Sequence, residues 1–352
     1  MKKVAVALSG GVDSSVSALL LKKQGYDVIG ITLKLSSVDL CDPNIQVCCS
    51  TKDIVDAKKV ANFLEIPHYV VDWQDIFKEK VIKYFIDELL TGKTPNPCAI
   101  CNRDVKTGLL AKYVKKVLKV DYLATGHYIK TREMDKVGKV ILRGSDESKD
   151  QSYFLSLIER EVLDSLIFPV GELTKEEVRK IASEHKIPVS QKKESFEICF
   201  TAGKEPYIYL SEIGVREKVG EVIHISGKVL GKHRGLSAYT VGQRRGLSIP
   251  WKEPLYVIDK DYKRNIVIVG EKEHLLTDFA KAKNFNFLVD IKFWKDIKVQ
   301  GRYRQKPVEL KSFEFDGQFL TVYFKEPQVK FAPGQILAVY QEDMLLGGGI
   351  IF

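Results

Sequence analysis

No apolar run in the 352 residues approaches the length needed to span a bilayer. A short one near the start, Val4 to Leu8, is cut off at once by Gly10, Gly11 and Asp13. It therefore reads as a buried strand rather than the core of a secretory signal. Low-complexity tracts, internal repeats and disordered-type charge blocks are also missing, which leaves an ordinary folded chain. No cysteine lies beyond Cys199; all six fall in the first 199 residues. With no signal and no span, the expected compartment is the cytoplasm, where thiols stay reduced, so these cysteines point to catalysis or metal before disulfides. Two common phosphate-binding signatures are absent as well. There is no glycine loop ending in Gly-Lys-Ser or Gly-Lys-Thr, and no G-x-G-x-x-G.

At 352 residues the chain is too long for one typical core, so two or three domains are expected. Its formal net charge is +9. A basic surface favours capture of polyanions, with nucleic acid, nucleotide phosphate and acidic lipid as candidates and simple solubility as the bland alternative. The first half alternates apolar strands (Val4–Leu8, Asp27–Leu33, His68–Trp73, Tyr122–Thr125) with helices of 3.6 periodicity (Ser14–Gln24, Thr51–Leu64, Ile76–Leu90, Asn102–Leu118). Thr174 with Glu177 predicts a capping box on one more helix ending at His185. Such alternation implies a parallel sheet wrapped by helices, with ligands beyond the carboxyl ends of the strands. After Cys199, short strands and Gly/Pro turns take over. From about Lys281 the alternating stretches Lys298–Arg304, Phe319–Phe324 and Ile336–Tyr340 suggest a small β-barrel. The expected division is an α/β catalytic domain over 1–200, a small mostly β domain over 201–275, and a barrel over 276–352.

Between the first strand and first helix stands Ser9-Gly10-Gly11-Val12-Asp13-Ser14-Ser15. Glycines let the backbone approach a ligand closely. Amides at the helix start, together with serine hydroxyls, make an anion cradle, and Asp13 could orient magnesium or the turn itself. Without a lysine, the loop suits pyrophosphate as a leaving group, with attack on the α-phosphate. Further on, Thr94-Pro95-Asn96-Pro97-Cys98-Ala99-Ile100-Cys101-Asn102 is a proline-stiffened loop leading into a basic helix, with Cys101 just before it, where a thiolate is favoured. Much later comes Glu194-Ser195-Phe196-Glu197-Ile198-Cys199-Phe200. Taken alone, Cys199 reads as a small buried residue.

SGGVDSS resembles the signature of the PP-loop ATP pyrophosphatases, which adenylate their substrates. PNPCAICN and ESFEICF following it narrow the likeness to the tRNA-specific 2-thiouridylases that act at the wobble uridine. The likeness covers nearly the whole chain. It includes Cys48-Cys49-Ser50 with Asp53 and Asp56, Ile66-Pro67-His68-Tyr69, Ala124-Thr125-Gly126-His127-Tyr128 and Asp150-Gln151-Ser152-Tyr153-Phe154-Leu155. It continues through Tyr239 to Leu247, Arg302-Tyr303-Arg304-Gln305, Pro333-Gly334-Gln335 and Leu346 to Gly349.

The resemblance implies roles. Cys101 corresponds to the nucleophilic cysteine and Cys199 to the one carrying a persulfide. Leu8, Ser9, Gly10, Gly11, Asp13, Ser14, Ser15, Leu33 and Gly126 correspond to ATP-contacting positions, although methionine is common in the family where Leu33 stands. Asn96, Pro97 and Cys98 correspond to the segment that meets the target base. His127, Lys149, Asp150, Gln151, Arg302, Tyr303 and Gln335 correspond to tRNA contacts. The implied reaction is ATP-dependent: the C2 carbonyl oxygen of uridine is adenylated, sulfur displaces AMP, and pyrophosphate is released. Implied partners are ATP with Mg2+, a tRNA carrying a wobble uridine, and a sulfur-donor protein or sulfide source, with no membrane involved.

One departure stands out. Many relatives have aspartate where Cys98 stands, and a thiol cannot take over an acid/base role unchanged. Cys98, Cys101 and Cys199 together suit three ligands of a [4Fe-4S] cluster with an open fourth iron. Zinc, a regulatory disulfide, and persulfide chemistry with an idle Cys98 are the alternatives. For Cys41, Cys48 and Cys49 the expectation is a structural loop. On the RNA side, the helix from Asn102 carries Arg103, Lys106, Lys112, Lys115 and Lys116, and Arg244-Arg245 and Arg302-Tyr303-Arg304 pair bases with aromatics. Binding of tRNA is expected to weaken steeply with salt, since released counterions drive it; a flat dependence in a filter-binding titration contradicts the RNA reading. Two rival readings are a PP-loop ligase acting on a small molecule and a metal-bound RNA-binding module without catalysis.

Overall fold

The computed structural model describes residues 1–35, 51–194 and 198–352. Cys41, Cys48, Cys49 and Ser50, and Ser195 to Glu197 of the later motif, lie outside the described residues.

Val4 and Val6 face one side of the first strand, Lys3–Ala7, while Ala5 and Ala7 face the other; Val4, Ala5 and Val6 are wholly buried. Burial on both faces requires cover on both faces. The helices Val12–Lys23, Thr51–Phe63 and Lys175–Glu184 pack on one side through Val16, Val60, Ala61 and Val178. Helical segments over 74–90 and 97–116 pack on the other through Phe77, Phe85, Val105 and Leu110. The parallel sheet runs His68–Asp72, Asp27–Lys34, Lys3–Ala7, Tyr122–Ala124, Leu166–Ile167. Its order reverses between Lys3–Ala7 and Tyr122–Ala124, so a crevice opens beyond the carboxyl ends of these two strands. The Ser9–Ser15 turn and Gly126 sit at that point. Thr174 and Glu177 form the expected capping box.

Beyond residue 200 a four-stranded sheet, ordered Tyr256–Asp261, Ile266–Gly270, Gly220–His224, Val229–His233, precedes a closed six-stranded barrel. The barrel runs Leu276–Phe287, Phe319–Val329, Val308–Phe315, Lys298–Gln300, Ile336–Gln341, Met344–Ile351 and back to the first. Two features differ from the sequence reading. The strand expected over Lys298–Arg304 stops at Gln300, because the chain turns at Gly301 and Arg304 adopts φ 62°. A hairpin, Ile129–Met134 with Gly138–Arg143, leaves the first region and joins the barrel sheet, pairing Leu142 with Met344 and Ile141 with Leu345. No helix among the described residues is long and apolar enough to cross a membrane.

Candidate functional site: a nucleotide turn and three cysteines

The turn after the first strand is built by its own side chains. Gly10 has φ +69°, and a β-carbon there would lie 2.3 Å from the Asp53 carbonyl oxygen. Only glycine allows the start of the Thr51 helix to approach so closely. The Ser14 and Ser15 hydroxyls donate to the Gly11 carbonyl at 3.2 and 2.7 Å, and the Ser9 amide donates to Ser14 Oγ at 3.2 Å. Gly126 closes the crevice from the neighbouring strand; a β-carbon on it would stand 2.8 Å from the Ser14 amide nitrogen. Leu8 and Leu33 are buried beside the turn, and the Leu8 carbonyl accepts from Thr32 Oγ1 at 2.8 Å. The residues expected to hold the nucleotide are thus gathered at the reversal of the sheet.

Around the turn lies a set of charges that joins Asp13, Asp53, Asp56, Lys149 and Glu194 to two lysines outside any motif, Lys175 and Lys192. Asp13 Oδ1 accepts from Lys175 Nζ at 2.6 Å and from the Tyr128 hydroxyl at 2.7 Å. Burial and then the Asp13 carboxylate push the Tyr128 phenol up, so it stays a donor. Lys175 also reaches Glu194 Oε1 at 2.9 Å, and Lys149 reaches Glu194 Oε2 at 2.7 Å. Burial would raise the Glu194 carboxyl, but its two lysine partners outweigh this and hold it below the usual carboxylate range. Lys192 Nζ donates to the Gly10 carbonyl at 2.9 Å and to Asp53 and Asp56 at 2.7 Å each. No sequence motif announced Lys175 or Lys192. The only signal was negative, namely an anion loop with no lysine of its own.

The cysteine loop is tied down from three directions. Asn96 caps the helical turn Pro97–Cys101, its Oδ1 accepting from the Ala99 amide at 3.1 Å, with Pro97 at the first helical position. Thr94 donates its amide to the Pro333 carbonyl at 2.8 Å and meets Thr240 Oγ1 at 3.3 Å, while Gln335 Nε2 donates to the Thr94 carbonyl at 2.7 Å. The helix therefore starts a full turn earlier than expected. Cys101 is its fifth residue, and Cys98 occupies the first turn, so the helix-start argument made for the Cys101 thiolate falls to Cys98 instead. Cys101 is buried and Cys98 exposed. Beyond Cys101 the helix widens to a π-helical stretch, Asn102–Leu109. Gly108 permits it, since a β-carbon there would sit 2.2 Å from the Arg103 carbonyl. Such widened turns gather at functional sites.

Cys199 is half-buried and packs on the same apolar core as Cys101. Its neighbour Phe200 lies edge-on to Phe77 at 5.8 Å and Phe85 at 5.2 Å. These two rings flank the Lys78–Ile82 turn, which packs against Pro97–Cys101. On its other side the same segment carries Lys192 and Glu194 to the nucleotide turn. Five residues of chain reach at most about 18 Å, so the Cys199 backbone stays within that distance of Glu194. Lys192 and Glu194 at the turn thus lie seven and five residues before Cys199 in the chain.

The residues expected to meet RNA fall into two groups. Arg302 is exposed, and the half-buried Tyr303 lies with its ring 4.5 Å from Phe154. The others make internal bonds. The buried Asp150 accepts from Arg143, the Gly144 amide and Ser152, which fixes the turn beside Lys149. Gln151 Oε1 accepts from the Tyr128 amide at 3.0 Å. Asn96 and Gln335 hold the cysteine loop as described above. His127 bonds Thr125 Oγ1 through Nδ1 at 2.8 Å; burial, and then the nearby Lys106 charge, push it down to about 3. This histidine is neutral across ordinary working pH. Its folded pKa lies below the ordinary value, so the stability it contributes is present above about pH 6.5 and is lost as pH falls toward 3. A His127→Gln variant is expected to lose less stability than the parent between these limits, as read from urea midpoints.

The family described as tRNA methyl transferase HUP domain matches residues 2–203. The description tRNA methyl transferase PRC-barrel domain matches 209–271, and aminomethyltransferase beta-barrel domain matches 277–351. Among curated proteins, the tRNA-specific 2-thiouridylase MnmA of Persephonella marina is 63% identical over 99% of both chains. That of Aquifex aeolicus is 52% identical over 99% of this chain and 98% of its own. The chain belongs to the tRNA-specific 2-thiouridylase family. Its relatives carry the sulfur-transfer name although the matched domain descriptions speak of methyl transfer, and a buried and a half-buried thiol packed on one apolar core suit the former chemistry.

Proposed function

We propose that this thiouridylase carries out ATP-dependent 2-thiolation of a wobble uridine in tRNA in two steps at one site. In the first, the C2 oxygen of the uridine attacks the α-phosphorus of ATP seated on Ser9–Ser15, and pyrophosphate leaves. The glycine-turn amides and serine hydroxyls stabilise charge on the phosphates, with Lys175 as a nearby cation. Magnesium would arrive with the nucleotide, its hard character suited to phosphate oxygens and the Asp13 carboxylate. In the second step, a Cys199 persulfide is attacked at its inner sulfur by the Cys101 thiolate. A Cys101–Cys199 disulfide forms and hydrosulfide departs, attacks C2 and expels AMP. A thiol reductant then reopens the disulfide. The contacts of Lys192 and Glu194 at the turn, only seven and five residues before a cysteine that shares a core with Cys101, support placing both steps together.

Cys98, Cys101 and Cys199 also offer the soft thiolate donors that a [4Fe-4S] cluster takes: two one helical turn apart, and a third on the core that holds Cys101. When bound, such a cluster would supply an open iron able to hold sulfide. Iron and acid-labile sulfide after anaerobic purification report it directly, and full activity without either rules it out.

Domain roles follow the same reading. Residues 1–200 activate the base, 201–275 grip the tRNA, and 276–352 support the cysteine loop through Pro333 and Gln335. Arg302 and Tyr303 line the RNA approach, while Asn96, His127, Lys149, Asp150, Gln151 and Gln335 support it from within. Pyrophosphate release measured with and without tRNA tests the assignment. Release that depends on tRNA supports thiolation, whereas release driven by a small amine or acid in its place points to the rival ligase.

A further inference from the structure

We propose that Lys192 is the positioning cation of the nucleotide turn: it offsets part of the charge of Asp53 and Asp56 so that a polyphosphate can approach, replacing in space the lysine that the loop lacks in sequence. This rests on the reading of Ser9–Ser15 as the ATP site. An ammonium has three donors, and here they go to the Gly10 carbonyl at 2.9 Å and to the two carboxylates at 2.7 Å each. The carboxylates are buried side chains, 9% and 12% exposed, on the helix whose first turn touches Gly10. Among the described residues Lys59 also lies beside them, 3.5 Å from Asp56, but its side chain is 61% exposed, so water screens it. Removing Lys192 takes one positive charge from beside these two poorly solvated carboxylates, on the helix that touches the Ser9–Ser15 turn. With Lys192, half of the pair's charge is offset and the Gly10 carbonyl is held by the ammonium.

The lysine also lies seven residues before Cys199 in the chain. The same ammonium that prepares the turn for phosphate therefore fixes the near end of the segment bearing the sulfur-carrying cysteine.

Repulsion should scale with ligand charge, and this separates compensation from a merely structural role. The test measures equilibrium binding of adenosine, AMP, ADP and ATP to the full chain without divalent cations. It compares the parent, Lys192→Met, and Lys192→Met combined with Asp53→Asn and Asp56→Asn. In Lys192→Met, the loss should be small for adenosine and grow with each phosphate, to roughly ten- to hundredfold for ATP, since Coulomb energy is proportional to charge. The triple variant should recover most of the ATP affinity. Equal losses for all four ligands, no loss at all, or no recovery in the triple variant overturns the proposal. If the parent chain binds none of the four, the nucleotide reading itself fails and the proposal with it.

Discussion

A Cys199→Ser variant should release pyrophosphate in the presence of tRNA and yet leave the uridine unthiolated. Thiolation is expected to fall by more than about three orders of magnitude, the scale on which removal of a covalent nucleophile is felt. The base is activated at the turn and the sulfur handled at the thiols, so losing a thiol leaves the first step in place. Folding should be little changed, because Cys199 is half-buried and serine nearly fills its volume. Cys101→Ser is expected to separate the two cysteines. It should also stop turnover, but a persulfide should accumulate on Cys199, visible by mass spectrometry of the intact protein. It should cost about 1–2 kcal/mol as well, since it puts a hydroxyl into a buried site. Equal thiolation by the parent and by Cys199→Ser would remove Cys199 from the reaction.

The second large effect concerns backbone, not side-chain chemistry. Gly10→Ala should raise the KM for ATP at least tenfold and lower the melting temperature of the chain. Gly10 lies at φ +69°, where an L residue pays about 1–2 kcal/mol. Its new β-carbon would also meet the Asp53 carbonyl at 2.3 Å, which forces apart the turn and the helix carrying Asp53 and Asp56. Gly25→Ala is the matched control. Gly25 has φ +84° but nothing within 4 Å of the added carbon, so it bears the conformational cost alone and should bind ATP as the parent does. If both variants bind equally, the close approach at Gly10 is irrelevant to the nucleotide.

The parallel sheet was legible because its strands are continuous apolar runs and its helices repeat every three to four residues. The barrel was legible from alternation, and the capping box from Thr174 and Glu177. The hairpin at 129–143 was not. Its tip, Arg132 to Lys139, is mostly polar, and its pairing partner Met344–Leu345 lies two hundred residues away. The start of the cysteine helix is written in Asn96-Pro97, a cap followed by a first-turn proline, but a proline between turn residues reads equally as loop stiffening. Residues tagged for RNA contact, such as Asp150 and Gln335, turned out to make internal bonds because a motif records that a residue matters and not which way it points. The lysines around the turn, Lys175 and Lys192, are ordinary members of basic helical and loop stretches until the fold delivers them to Asp13, Asp53 and Asp56. Charge compensation across more than a hundred residues leaves no local pattern.

The most direct test follows one oxygen atom. A tRNA whose target uridine carries heavy oxygen at C2 is incubated with the enzyme, ATP and a sulfur source, and the AMP formed is weighed by mass spectrometry. If the base is activated by adenylation, the heavy atom leaves with the AMP phosphate as thiouridine appears. Thiouridine formed alongside unlabelled AMP would contradict the account, whatever the cysteines do.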